Sequence, residues 1–435
     1  EPLADEVLWP LVAENLWLID RALGVVNEAD YPENPEGALD ALATLPKLPA
    51  RTTAPLLALA LSGPKALRKR ARAMLERETG FEPQLIALID DSRQEVRAGA
   101  ARWLGGLGRA AGAEPLQKRL KKEKSQVVRA ALLAALEALG QDISAHVGPA
   151  AFAAEARKGL ARASFKDLGW LDFEHLPELH YRDGTRLPVD VLKWWCALAV
   201  KLKAPGETEP FELCLGQLAP EDAETLSTLL FDAWLAHDTA PPSEADVEAY
   251  AQARLARYKQ GEFWVFENAP DNWDDAAMLD LLRRHKRAET PNSGAPSKGI
   301  LALASKVPPG HAVARVKSYL KQHGRRTSQT TALLELMAAK GDAMSLQVVI
   351  AAATRLRQKG VQARANELVQ EIADRNGWTR DELADRTVPT GGLDDDGRME
   401  LPCSEGTRLY TARLDEKLGL TLFNPDGKVV KSLPS

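Results

Sequence analysis

Cysteine is nearly absent from this 435-residue chain: only Cys196, Cys214 and Cys403, an odd number at wide spacings. No disulfide framework is built that way, and no Cys-x-x-Cys pair offers a thiolate zinc site. A reducing, cytoplasmic setting is therefore expected. No apolar run approaches the roughly 20 residues of a membrane-spanning helix, so no membrane partner is expected. The opening residues, EPLADEVLWP, hold neither a basic region nor a long apolar stretch, and no signal peptide is expected there. Motifs that carry chemistry are missing too. There is no Gly-x-Ser-x-Gly elbow, no Gly-x-x-x-x-Gly-Lys phosphate loop and no kinase signature set. The seven histidines are scattered. His175 and His180 come nearest to a metal pair, but Pro177 lies between them, so they do not share an undistorted helical face. Neither an enzyme, nor a cofactor, nor a metal site is expected from this sequence.

What is present points to packed helices. Alanine and leucine abound while aromatics make up only 6% of residues, and a chain of this length requires several domains or an elongated repeat array. The formal net charge of −5 hides an asymmetry. Residues 1–50 hold ten acidic side chains against Arg21 and Lys47, whereas residues 51–130 hold 17 basic against 8 acidic. A basic segment in an acidic chain either meets an anionic partner or pairs with its own acidic neighbours.

Internal similarity organises the first third. In DDSRQEVRAGAARWLGGLG (90–108) and KEKSQVVRAALLAALEALG (122–140), Val96-Arg97 aligns with Val128-Arg129, Leu104 with Leu136 and Gly108 with Gly140, each 32 residues apart. A looser copy, GPKALRKRARAMLERETG, covers 63–80. Each unit reads as two helices, the second apolar at i, i+3, i+4 and i+7 and closed by a glycine suited to the left-handed conformation. Gly106-x-Gly108-x-x-Ala111 superficially matches a dinucleotide fingerprint. A helix rather than a strand precedes it, so an inter-repeat turn is expected. The acidic turn followed by Val-Arg resembles HEAT-type repeats over residues 51–145. Such units stack into a solenoid, because none can bury its apolar face alone. Residues 1–50 are expected to form a helical cap and 51–150 the repeats.

Residues 151–290 read as a mixed, mostly helical middle region. Two helices within 222–260 are split by Pro241-Pro242, a short strand is expected at 263–266, and Asp271 or Asn272 is expected to cap the next helix. A second helical array is expected over 291–377, beginning with a helix in GILALASKV. Residues 378–435 are expected to hold a capped helix and an antiparallel β-meander. Thr379 and Glu382 make a Thr-x-x-Glu capping box, with Trp378 and Leu383 as its hydrophobic staple. Pro389 must end that helix, and the chain then alternates as strands do, turning at Gly397 and Gly427. The aspartates at 394–396 lack the remaining positions of a calcium loop: Gly392 and Cys403 fall where two ligands belong.

GWTRDELADRTVPTGGLDDDGRMEL and YTARLDEKLGLTLFNPDGKVVKSLP resemble the carboxy-terminal signature of the MolR-like bacterial proteins, whose shared module is called domain of unknown function 4132. The likeness spans about residues 210–435 and implies a bacterial, cytosolic, HEAT-like protein linked by its family name to molybdate regulation. No Trp-Gly-Arg motif, common in that family, occurs, and LPCSEGTRLY departs from its usual pattern.

Two functions follow. The leading one is a non-catalytic scaffold of HEAT type with a protein partner, since solenoids present long surfaces and no residue pattern here asks for chemistry. The alternative is a nucleic-acid-binding solenoid using the basic face of 51–130. Its candidate residues are Lys65, Arg68, Lys69, Arg70 and Arg72 in one unit, with Lys118, Arg119, Lys121, Lys122 and Lys124 in another.

Overall fold

The computed structural model describes residues 5–24, 34–63, 65–206, 208–261, 274–376, 378–379, 382–383, 398–403, 408–415 and 419–433. The fold is mainly α, with a small antiparallel sheet near the carboxy terminus. Helices α1 (Asp5–Glu14), α2 (Leu16–Ala22) and α3 (Pro35–Ala43) precede the repeats. The repeats comprise α4 (Thr53–Ser62) with α5 (Lys65–Glu76), α6 (Glu82–Ala87) with α7 (Gln94–Leu107), and α8 (Ala113–Leu120) with α9 (Gln126–Ala138).

The repeated residues show why these units stack. Val96, Leu104, Val128 and Leu136 are all buried, on faces that α7 and α9 turn to each other and to their own first helices. A Cβ at Gly105 would stand 2.8 Å from the Cα of Ala135, so glycine there lets α7 and α9 approach closely. Gly108 and Gly140 end these helices at φ +65° and +72°, the left-handed geometry the sequence called for. The near-fingerprint of Gly106 and Gly108 is thus an inter-repeat turn.

Next come α10 (Pro149–Leu160), α11 (Val189–Leu202), α12 (Glu209–Leu215) and α13 (Pro220–Thr239). Pro241-Pro242 separates α13 from α14 (Glu244–Lys259), which pairs with α15 (Asp275–Arg287) over a small core of its own around Ala251, Leu255, Met278 and Leu282. Asp274, not Asp271 or Asn272, caps α15, its carboxylate accepting from the N–H of Ala277 at 2.7 Å. The expected strand at 263–266 lies outside the described residues.

The first helix of the second array differs from expectation. Residues 295–304 form a 3-10 helix, not an α-helix. Gly299 explains the crowding: a Cβ there would lie 2.0 Å from the carbonyl oxygen of Ala199 in α11. The buried Lys340 ammonium steadies the end of this segment, donating to the carbonyls of Ser305 (3.1 Å) and Val307 (2.6 Å). Then follow α16 (Pro309–His323), α17 (Thr327–Lys340), α18 (Ala343–Arg355) and α19 (Lys359–Asn376), and α19 packs back against α5. One continuous apolar core runs from Ile19 to Leu383.

Asp238, fully buried at the end of α13, ties this array together. Its carboxylate accepts from the N–H of Gly294 (2.7 Å), the Tyr319 hydroxyl (2.6 Å), Arg326 (3.0 Å) and Gln329 (3.0 Å). After α19, the Thr379 N–H donates to Glu382 at 2.7 Å, and the Glu382 N–H donates to the Thr379 hydroxyl at 3.1 Å. Leu383 is buried, with Trp378 packed against the same core. Pro389, Gly397 and the aspartates 394–396 lie outside the described residues. Strands β1 (Arg398–Cys403), β2 (Arg408–Leu414), β3 (Leu420–Phe423) and β4 (Val429–Val430) form a meander in the order β1-β2-β3-β4. Its β3–β4 turn places Gly427 at φ +75°.

Candidate functional site

The basic repeats use most of their described arginines internally. Arg68 donates to the Gly63 carbonyl at 2.7 Å, and Arg70 pairs with Asp40. Arg72 lies 5.1 Å over the Trp103 ring. Lys118 pairs with Glu114 at 2.6 Å. Glu123, the counterpart of Asp91 one repeat later, receives both Arg97 (2.9 Å) and Arg119 (2.7 Å). Arg97 also donates to the carbonyls of Asp91 and Ser92, each at 2.8 Å. The Val-Arg element of the repeat is therefore a bracket: it holds its own acidic turn and clamps the next one. Burial alone would push the Glu123 carboxyl up. The backbone N–H of Ser125, the two guanidinium groups and the N–H of Lys124 outweigh burial and hold it down at about 2.

The ten candidate basic residues are spread over two layers. Lys65 to Arg72 stand on α5, a second helix; Lys118 and Arg119 stand on α8, a first helix, with Lys121, Lys122 and Lys124 just beyond it. Lys69, Lys121, Lys122 and Lys124 are exposed and have no carboxylate partner among the described residues. Of the ten, Lys124 alone lines the large cleft beside the last repeat.

That cleft, about 910 Å³, opens where α9, α10 and α11 meet. Lys124, Arg129, Lys158, Arg162, Lys201 and Lys203 line it. All but Arg129 are exposed, and those five make no ion pair among the described residues. The three carboxylates along the cleft do not neutralise them. Glu123 is engaged by Arg97 and Arg119, and Glu155 accepts from Gln126 (2.9 Å) and from the Trp194 indole (3.1 Å), leaving Asp167 alone at one side. Small residues, among them Ala151, Ala154, Gly159 and Ala197, also line it. Trp194 is fixed in place against Gly159, where a Cβ would meet the ring at 2.4 Å.

Lys203 adds a conformational oddity. It ends α11 at φ +55°, left-handed and not glycine, the one such residue among those described. Its N–H still bonds the Ala199 carbonyl at 3.2 Å, which the close passage of Gly299 also crowds. The Lys203 side chain borders the cleft just past the end of α11.

A family model described as HEAT repeats matches residues 53–137. The repeats read from the 32-residue spacing are thus HEAT-like over that stretch. The chain is also similar to "Uncharacterized protein YehI" of Escherichia coli (strain K12), 30% identical over 109 residues. That match covers 25% of this chain and 9% of the relative.

Sequence reasoning placed the basic surface within 51–130 and passed over Lys158, Arg162, Lys201 and Lys203. These four come from two helices and their ends, separated by a long loop, so no charge run in the sequence joins them. The available signal was weaker: the short cationic group Arg157, Lys158, Arg162 and Lys166 around the end of α10.

The His pair resolves into local contacts. His175 bonds Asp172 at 2.6 Å, and His180 bonds Asp222 at 3.2 Å. Among the described residues no group of three or more His, Cys, Asp or Glu side chains is placed to hold a metal ion, and no helix is long and apolar enough to cross a membrane.

Proposed function

We propose that this chain is a non-catalytic interaction scaffold of HEAT type that holds a protein partner in a bacterial cytoplasm, in a regulatory setting. The observation that carries this reading is the stacking of HEAT-like units into one continuous core. Such arrays present extended surfaces formed by many shallow side chains. The resemblance of the carboxy-terminal residues to the MolR-like module and the stretch shared with an Escherichia coli protein support the bacterial assignment. The unbridged, buried Cys196 and Cys214 accord with a reducing compartment. The bracketing of Arg97 and Arg119 by Glu123, together with the pairs of Arg70 and Lys118, speaks against phosphate binding by those four side chains, where a phosphate would have to displace carboxylates already in place. Affinity purification of the full chain from bacterial cells after chemical cross-linking, with and without nuclease, tests the reading. Recovery of the same protein partner after nuclease treatment is the expected outcome; recovery that vanishes with nuclease overturns it.

A further inference from the structure

The cleft between α9, α10 and α11 gathers cations that lack a carboxylate partner among the described residues. Elsewhere the guanidinium groups mostly meet carboxylates, as at Arg364, which reaches Glu335, Glu367 and Glu371 at 2.9–3.0 Å. Along this cleft five cationic side chains are left unanswered. Like charges gathered in a concavity repel one another and raise the local potential, an arrangement that favours an anionic occupant. We propose that the cleft between α9, α10 and α11 is the docking site for an acidic segment of a partner protein, a short extended run of aspartate and glutamate. The proposal deepens the scaffold reading and rests on it.

Three features favour a peptide over a nucleic acid. The volume, about 910 Å³, is that of a pocket for a few residues, whereas backbone readout of nucleic acid needs a long stripe tracking successive phosphates. Single-stranded nucleic acid is held largely by stacking on exposed rings. The rings lining this cleft are the small His146 imidazole and Trp194, whose indole has one face against Gly159 and its N–H bonded to Glu155. Finally, the small side chains of Ala151 and Ala154 leave room for an extended main chain whose carboxylates reach outward to the lysines. Lysines 124, 158, 201 and 203 are flexible point charges, suited to carboxylates of varied position rather than to one rigid fork.

The test uses the full chain and a fluorescein-labelled peptide of about ten mixed aspartate and glutamate residues, followed by fluorescence anisotropy. Saturable binding that weakens as salt rises is expected. The variant K158E/R162E/K201E is expected to lose at least about tenfold in affinity, while K69E/K122E, outside the cleft, changes it by less than about twofold. Far-UV circular dichroism and melting check the fold. Should the triple variant fail to fold, R162A and K201A singly are each expected to cost about threefold. No binding of the peptide, or equal binding by folded wild type and cleft variant, overturns the proposal. So does tighter binding of a single-stranded oligonucleotide of matched charge, lost in the same variant. Cross-linking separates this from the scaffold reading: a partner captured equally by wild type and cleft variant leaves the scaffold standing and removes the cleft from it. Absence of any protein partner, with peptide binding intact at the cleft, removes the scaffold instead.

Discussion

Two neighbouring regions of this molecule treat positive charge in opposite ways. In the HEAT-like repeats two arginines are inward-directed fasteners. Arg97 and Arg119 converge on Glu123, whose side chain is only 3% exposed, and the three groups lock one repeat to the next. One step along the chain, around α10 and α11, cationic side chains stand exposed without carboxylates. Both sets are cationic, yet the first, of arginines, specifies the fold and the second, mostly lysines, leaves electrostatic work undone. A count of basic residues cannot separate these cases. The decisive quantity is whether each cation has a partner close enough to repay its desolvation and ordering.

The strongest challenge to the fastened side of this comparison is removal of a buried carboxylate. Asp238→Ala takes the shared acceptor from four donors and leaves the Arg326 guanidinium, 18% exposed, with neutral acceptors at Thr290 and Asn292 but no carboxylate. A loss of about 3–5 kcal/mol is expected in denaturant unfolding. A loss below about 1 kcal/mol would show that Asp238 is not the hub described.

Glu123→Gln comes next, with an expected loss of about 3 kcal/mol at neutral pH. Its pH dependence has a definite sign. The folded-state carboxyl is depressed to about 2, against an ordinary value of about 4.3 in the unfolded chain. The stabilisation is therefore fully present above about pH 4.3 and is lost as pH falls towards 2. The stability gap between wild type and Glu123→Gln should shrink over that window. A gap that stays constant would mean the bracket does not act through the ionised carboxylate.

Gly299→Ala is expected to cost about 1–3 kcal/mol, because the added carbon would meet the Ala199 carbonyl at 2.0 Å and force the 3-10 helix away from α11. It also ties the comparison together, since the end of α11 carries Lys201 and Lys203. Affinity for the acidic peptide should fall with stability, although no cleft residue has been changed.

The sequence was most legible where one local rule decides the structure. The 32-residue repeat, the glycines at 108 and 140, the Pro241-Pro242 break and the turn at Gly427 each follow from backbone geometry or periodicity. The 3-10 helix at 295–304 was not legible in that way. GILALASKV has an apolar pattern compatible with either helix, and the distinction comes from a close approach to a segment about a hundred residues earlier. The cleft was illegible for the same reason: Lys124, Lys158 and Lys201 are brought together only by the packing of α9, α10 and α11. Conversely, the visible basic run at 65–72 reads as a surface, yet Arg70 and Arg72 are directed to Asp40 and Trp103. Charge runs report composition; pairing is a tertiary property.

The smallest predicted effect separates stability from binding. Lys203 holds a left-handed backbone that costs a β-carbon-bearing residue about 1 kcal/mol. Glycine relieves that strain but gains freedom in the unfolded chain, returning about half of the benefit. Lys203→Gly should therefore stabilise the protein by about 0.5 kcal/mol while weakening acidic-peptide binding through loss of one cleft cation. A purely structural lysine would move neither binding nor its salt dependence. If melting rises and affinity is untouched, Lys203 belongs with the fastened residues despite its exposure, and the line between the two regions must be drawn nearer to α10. If melting rises and affinity falls, Lys203 serves binding at the expense of stability, its ammonium group counting among the cleft cations.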